Sequence, residues 1–82
     1  MTWRVISRGG RQWRVTVAAE RRSSSPYWSL VFCFRSRGER TRWAMAPGRL
    51  PSKAAVYRQA EAMADDAILG LLSQTADAGR PM

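Results

Sequence analysis

Residues 27–46 read YWSLVFCFRSRGERTRWAMA, and the reading of this stretch decides the fold. Its two arms alternate, and the alternation agrees across a central turn. Gly38–Glu39 fits a two-residue hairpin loop with glycine at the first central position, the type II′ preference. That register pairs Arg35 with Arg42, Phe34 with Trp43, Cys33 with Ala44, Phe32 with Met45, and Arg37 with Arg40 beside the turn. Opposed residues share a face. One face therefore collects Trp28, Leu30, Phe32, Phe34, Trp43 and Met45, and reads as core. The other collects Val31, Cys33, Arg35, Arg42 and Ala44, and reads as exposed or half-exposed.

Working towards the N-terminus, residues 20–26 (ERRSSSP) form a polar connector in which serines and Pro26 end a ladder. Residues 13–19 (WRVTVAA) put Trp13, Val15 and Val17 on one side and Arg14, Thr16 and Ala18 on the other. Residues 2–7 (TWRVIS) put Trp3 and Val5 on one side and Arg4 and Ile6 on the other. Arg8–Gly9–Gly10–Arg11 between them is a hairpin signal. A two-residue Gly–Gly turn would set Val5 against Arg14 and mix the faces, because a one-residue slip flips every side chain. A three-residue loop over 8–10, with Gly10 left-handed, avoids this. It pairs Val5 with Trp13, Trp3 with Val15, and Arg4 with Arg14.

Towards the C-terminus, Pro47, Gly48 and Pro51 break the chain. Ser52 is a suitable N-cap for one helix over 53–74. Its apolar positions Val56, Tyr57, Ala60, Met63, Ala64, Ala67, Ile68, Leu71 and Leu72 recur at intervals of three and four. Gly70 is the expected site of any kink. The sequence thus predicts an α+β domain, residues 1–75. A four-stranded antiparallel meander sheet is followed by one C-terminal helix packed on one face, ββββα. Residues 76–82 form a frayed tail.

The chain has 82 residues and one cysteine. A domain this short buries only about 60% of its unfolded surface, which makes homodimerisation a natural expectation. No run approaches the length of a membrane-spanning helix, and the first residues lack the apolar core of a signal peptide. Lone Cys33 cannot form an internal disulfide, in keeping with a reducing, cytoplasmic setting. Charge is uneven. Residues 1–53 hold twelve Lys+Arg against Glu20 and Glu39, a net +10, and residues 54–82 carry a net −2. The basic part is the strand part, which suggests a polyanionic partner. Thirteen of the fourteen cations are arginine, a bias that a GC-rich genome also produces.

Catalysis finds little support. There is no histidine, the commonest general base and metal ligand. No zinc or iron–sulfur spacing occurs, no glycine-rich phosphate loop is present, and no cofactor is expected. Asp65 and Asp66 diverge by about 100° on a helix and read as solvating residues. Cys33 reads as a small apolar filler.

The arginines are more informative. The expected registers stack Arg4 on Arg14 and Arg35 on Arg42 across strands, all on the face away from the helix. Like charges directly opposed destabilise a sheet, and an anion between them turns repulsion into attraction. Trp3, Trp13 and Trp43 are read as core. Tyr27 points away from it and could stack on a base. The order of elements resembles that of the Whirly and Pur-type single-strand-binding proteins, whose sheets bind single-stranded DNA or RNA in dimeric or higher assemblies. No sequence motif carries that likeness. The expectation is a basic nucleic-acid-binding protein, single strands preferred. Arg4, Arg14, Arg35 and Arg42 lie on the sheet face, Arg11, Arg21, Arg22, Arg37 and Arg40 in loops, and Tyr27 stacks. The alternative is a non-catalytic interaction module or accessory subunit that meets an acidic protein partner.

Overall fold

In the computed structural model, which describes residues 3–78, four strands follow one another: β1 Arg4–Arg8, β2 Arg11–Glu20, β3 Ser29–Arg35 and β4 Arg42–Met45. Two helices come next, α1 Lys53–Ala62 and α2 Asp65–Ala78. The sheet is an antiparallel meander in the order β1-β2-β3-β4. The α+β class and the strand order are those expected. The single helix is not. The expected frayed tail falls largely outside the described residues, with α2 running to Ala78.

Both hairpin registers differ from expectation by one residue. Gly9 and Gly10 both adopt positive φ, 58° and 77°, so β1 and β2 close through a two-residue turn of the primed kind that matches strand twist. Val5 therefore faces Arg14, Ile6 faces Trp13, and Arg4 faces Val15. Ile6 is buried and Val5 is 50% exposed. Trp3 still reaches the core, because its N–H donates to the Val15 carbonyl (2.8 Å), the rung that Arg4 also occupies. Its ring lies 6.1 Å from that of Phe32.

In the β3–β4 hairpin, Gly38 (φ 76°) is the second central residue of a Ser36–Glu39 turn, with the Glu39 N–H donating to the Ser36 carbonyl. That is the type II position for glycine, and it lengthens the loop. Phe34 then opposes Arg42, Cys33 opposes Trp43 and Phe32 opposes Ala44. The longer loop is held from the neighbouring turn. The Ser36 hydroxyl donates to the Gln12 carbonyl (2.7 Å) and Arg11 donates to the Arg37 carbonyl (3.1 Å). Beyond β4 the Pro47–Gly48 excursion returns, and Leu50 pairs with Trp28 through two backbone hydrogen bonds.

The core lies between the sheet and the helices. Trp13, Val15, Leu30, Phe32 and Phe34 from the sheet meet Val56 and Ala60 of α1 and Ile68, Leu71 and Leu72 of α2. Tyr57, Ala64 and Ala67, expected in the stripe, are exposed. Helix α1 covers β2 and β3, and α2 covers β4 and β1. A straight helix over 53–74 would run about 33 Å, whereas the seven residues of β3 span about 23 Å. The break lets each half lie over different strands. It falls at Met63–Ala64, and the chain stays helical through Gly70. Ser52 caps α1 as expected, its hydroxyl accepting from the Ala55 N–H.

Arg4 fastens the break. Its guanidinium donates to the Met63 carbonyl (2.8 Å) at the end of α1 and to Asp65 (3.1 Å) at the start of α2. Asp65 and Asp66 sit in the first turn of α2, where negative charge suits the helix dipole. No helix among the described residues is long and apolar enough to cross a membrane.

Candidate nucleic-acid interface

The facings of β2 and β3 follow from Trp13, Val15 and Val17 on one strand and Leu30, Phe32 and Phe34 on the other, all turned to the helices. Alternation then forces Arg14, Thr16, Ala18, Val31, Cys33 and Arg35 to the opposite, outer face. The ladder sets rungs across it: Val5–Arg14–Arg35, then Thr16–Cys33–Trp43, then Ala18–Val31–Met45, then Glu20–Ser29. Arg14 and Arg35 are directly opposed. Neither belongs to an ion pair among the described residues, where Asp65 and Glu39 pair with Arg4, Arg11 and Arg42.

Two of the four arginines expected on this face are elsewhere. Arg4 lies on the helix side, engaged with Met63 and Asp65. Arg42 also lies on the helix side, 3.7 Å from Glu39, with its guanidinium 5.6 Å from the Trp13 ring. The one-residue register shifts move both. The expected like-charge pairs Arg4–Arg14 and Arg35–Arg42 are replaced by Arg14–Arg35, across the central strands.

The same shift brings out what the sequence placed in the core. Trp43 is 59% exposed and Met45 60% exposed, both on the outer face of an edge strand. They flank Cys33 and Val31, which are buried on this outer side. In their place Ala44 and Ala46 face the helices, small enough for α2 to lie close to β4. The clue in the sequence is that spacing of small residues, together with the option of placing Gly38 second in its turn.

Basic clefts bound the face at both ends. At the turn end an open cleft of about 700 Å³ is lined by Gly9, Gly10, Arg11, Gln12, Arg14 and Arg37, among others. At the connector end one of about 560 Å³ includes Arg21, Arg22, Tyr27, Met45 and Arg49. Along β3 they lie about 20 Å apart. Tyr27 is exposed, as expected, and the Arg49 guanidinium stands 5.8 Å from its ring. Arg49 was not among the expected site residues. Arg21 stands 5.3 Å from the ring of Trp28, which packs against the core. Arg22, Arg37 and Arg40 are exposed. Arg11 is tied into the turn end, on the Arg37 carbonyl and 3.5 Å from Glu39.

The outer face therefore offers uncompensated guanidinium groups, an exposed indole beside them and further cations at both ends. Comparison with protein families, curated proteins and solved structures returns no match for this chain.

Proposed function

We propose that the protein binds single-stranded nucleic acid across the outer face of its sheet. Arg14 and Arg35 take backbone phosphates, Trp43 stacks a base, and the strand continues into the basic clefts at either end. The observation that carries this reading is the directly opposed, unpaired Arg14–Arg35 couple one rung from an exposed tryptophan. Phosphate contacts from guanidinium groups and base stacking on aromatic rings are the two parts of sequence-tolerant single-strand binding. Duplex DNA fits less well, because both described helices pack on the other face and neither is free to enter a major groove.

Fluorescence anisotropy with labelled single-stranded and duplex oligonucleotides tests the proposal. Single strands should bind more tightly. Trp43→Ala should lose the stacking contribution, about 1–3 kcal/mol per base. Equal affinity for duplex, or an unaffected Trp43→Ala, would sink it.

The exposed Trp43 and Met45 on edge strand β4 favour a second reading, an interaction module in which they meet a second copy of the chain or an acidic partner. Sedimentation at micromolar concentration separates the homodimer from a 9.3 kDa monomer.

A further inference from the structure

On the helix side of the sheet, opposite the proposed interface, the turn end gathers a second set of cations. Arg8 and Arg11 are ladder partners flanking the Gly9–Gly10 turn. Arg42 reaches the same place from β4. With Trp13 and Leu72 they line a cleft of about 270 Å³. We propose that this cleft is a phosphate-binding site on the opposite side of the sheet from the Arg14–Arg35 couple, sharing only Arg11 and Gly9 with the outer turn-end cleft.

Three observations support it. Arginines from three strands converge on one small space, and two of them are directly opposed, an arrangement that repels without an anion. The only carboxylate paired with them among the described residues is Glu39, 3.5 Å from Arg11 and 3.7 Å from Arg42. Both distances exceed the roughly 2.7–2.9 Å of a charge-assisted hydrogen bond. Glu39 is a loose stand-in for a tighter anion. The Arg42 Nε–H is also buried with no partner, whereas buried donors are nearly always satisfied.

A phosphate suits the space better than a carboxylate. Guanidinium groups arriving from three strands can each take a different oxygen of a tetrahedral group, and arginine is the side chain that grips phosphate through paired donors. The Trp13 ring, against which Arg42 rests, and Leu72 shield one side of the site from water.

Isothermal titration with inorganic phosphate, at ionic strength matched with chloride, tests the site. The parent should bind one phosphate. Arg8→Gln, at an exposed side chain with no hydrogen bond or ion pair among the described residues, and Arg11→Gln, which also gives up the tie to the Arg37 carbonyl, should each keep the fold by circular dichroism and weaken binding about tenfold. Glu39→Gln should tighten it by removing the internal competitor. Arg14→Gln/Arg35→Gln should bind phosphate as the parent does, even if oligonucleotide binding is lost. Unchanged affinity in Arg8→Gln and Arg11→Gln overturns the proposal. So does a loss in Arg14→Gln/Arg35→Gln as large as theirs, or weaker binding in Glu39→Gln. Oligonucleotides with a 5′-phosphate or a 5′-hydroxyl identify the source. A tenfold preference for the phosphorylated end that Arg8→Gln abolishes assigns the site to a nucleic-acid terminus. Equal affinity, with inorganic phosphate still bound, assigns it to a free phosphorylated small molecule.

Discussion

The Arg14–Arg35 couple allows the sharpest test of the outer face, the double substitution Arg14→Gln/Arg35→Gln. Each phosphate that a protein neutralises on a single strand contributes about 0.7 to the slope of log affinity against log salt. Removing both guanidinium groups should flatten that slope by about 1.4. Between 50 and 200 mM salt, the parent should then lose roughly sevenfold more affinity than the variant over the same interval. The loss should be similar for oligonucleotides of unrelated sequence, because phosphate contacts position the backbone without reading bases. The free protein should be no less stable. Removing a directly opposed like-charge pair returns at most about 0.2–1 kcal/mol, and salt screening holds exposed charges near the low end. Anisotropy titrations at four salt concentrations, with a thermal melt of each variant, measure both quantities. Arg58→Gln, on the exposed side of α1, controls for net charge. An unchanged salt slope in the double variant refutes the reasoning. A slope change in Arg58→Gln as large as half that of the double variant would reduce the outer face to part of a diffuse positive charge.

Other substitutions probe the frame that holds this face. Phe32 is fully buried at the centre of the core, so Phe32→Ala should cost about 3–5 kcal/mol, enough to unfold much of so small a domain. An unaltered melting temperature would remove the central hairpin from the core. Arg4→Ala should cost about 1.5–3 kcal/mol, the worth of a hydrogen bond to a charged group, because the Met63 carbonyl would be left without its donor. The ion pair with Asp65 adds little, since Asp65 is largely exposed, so the destabilisation should persist in 0.5 M salt. If Asp65→Asn destabilises as much as Arg4→Ala, the ion pair and not the hydrogen bond to the carbonyl holds the helix break.

Where the sequence was legible, one residue class dominated one side of an alternating strand. In β2 and β3 the largest apolar residues fall on one parity, with only Val31 and Cys33 against them in β3, and the facing follows. At the edges the signal was weaker. The β4 segment RWAM offers Trp43 and Met45 on one parity and Arg42 and Ala44 on the other, and hydrophobicity alone turns the larger pair inward. Packing decided otherwise, because α2 crosses close to β4 and needs small residues there. In β1, Val5 and Ile6 differ by a single methylene, so the choice passed to the turn. Two consecutive glycines could both take positive φ, and the shorter loop resulted. The helix break was hidden for a different reason. The apolar period continues through Met63 and Ala64, and what interrupts the helix is a partner distant in sequence, Arg4, together with the reach of the sheet beneath.

These differences bear unequally on function. A one-residue slip in an edge hairpin exchanges the faces of the edge strand only. Thus Arg4 and Arg42 left the outer face while Trp43 arrived, and Arg14 and Arg35 stayed, because the central strands that carry them have their parity set by six core residues. The exchange alters the chemistry of the face. Four arginines in two edge-to-centre pairs would have made a uniform sheet of charge, suited to any polyanion. In the reading proposed above, two arginines beside an exposed indole and thioether offer separate places for a phosphate and for the face of a base, a face that a duplex keeps stacked away. The arginines that moved were not left idle. Arg4 fastens the two helices, and Arg42 joins Arg8 and Arg11 on the other side of the same turn end, so cations gather at that end on both faces of the sheet.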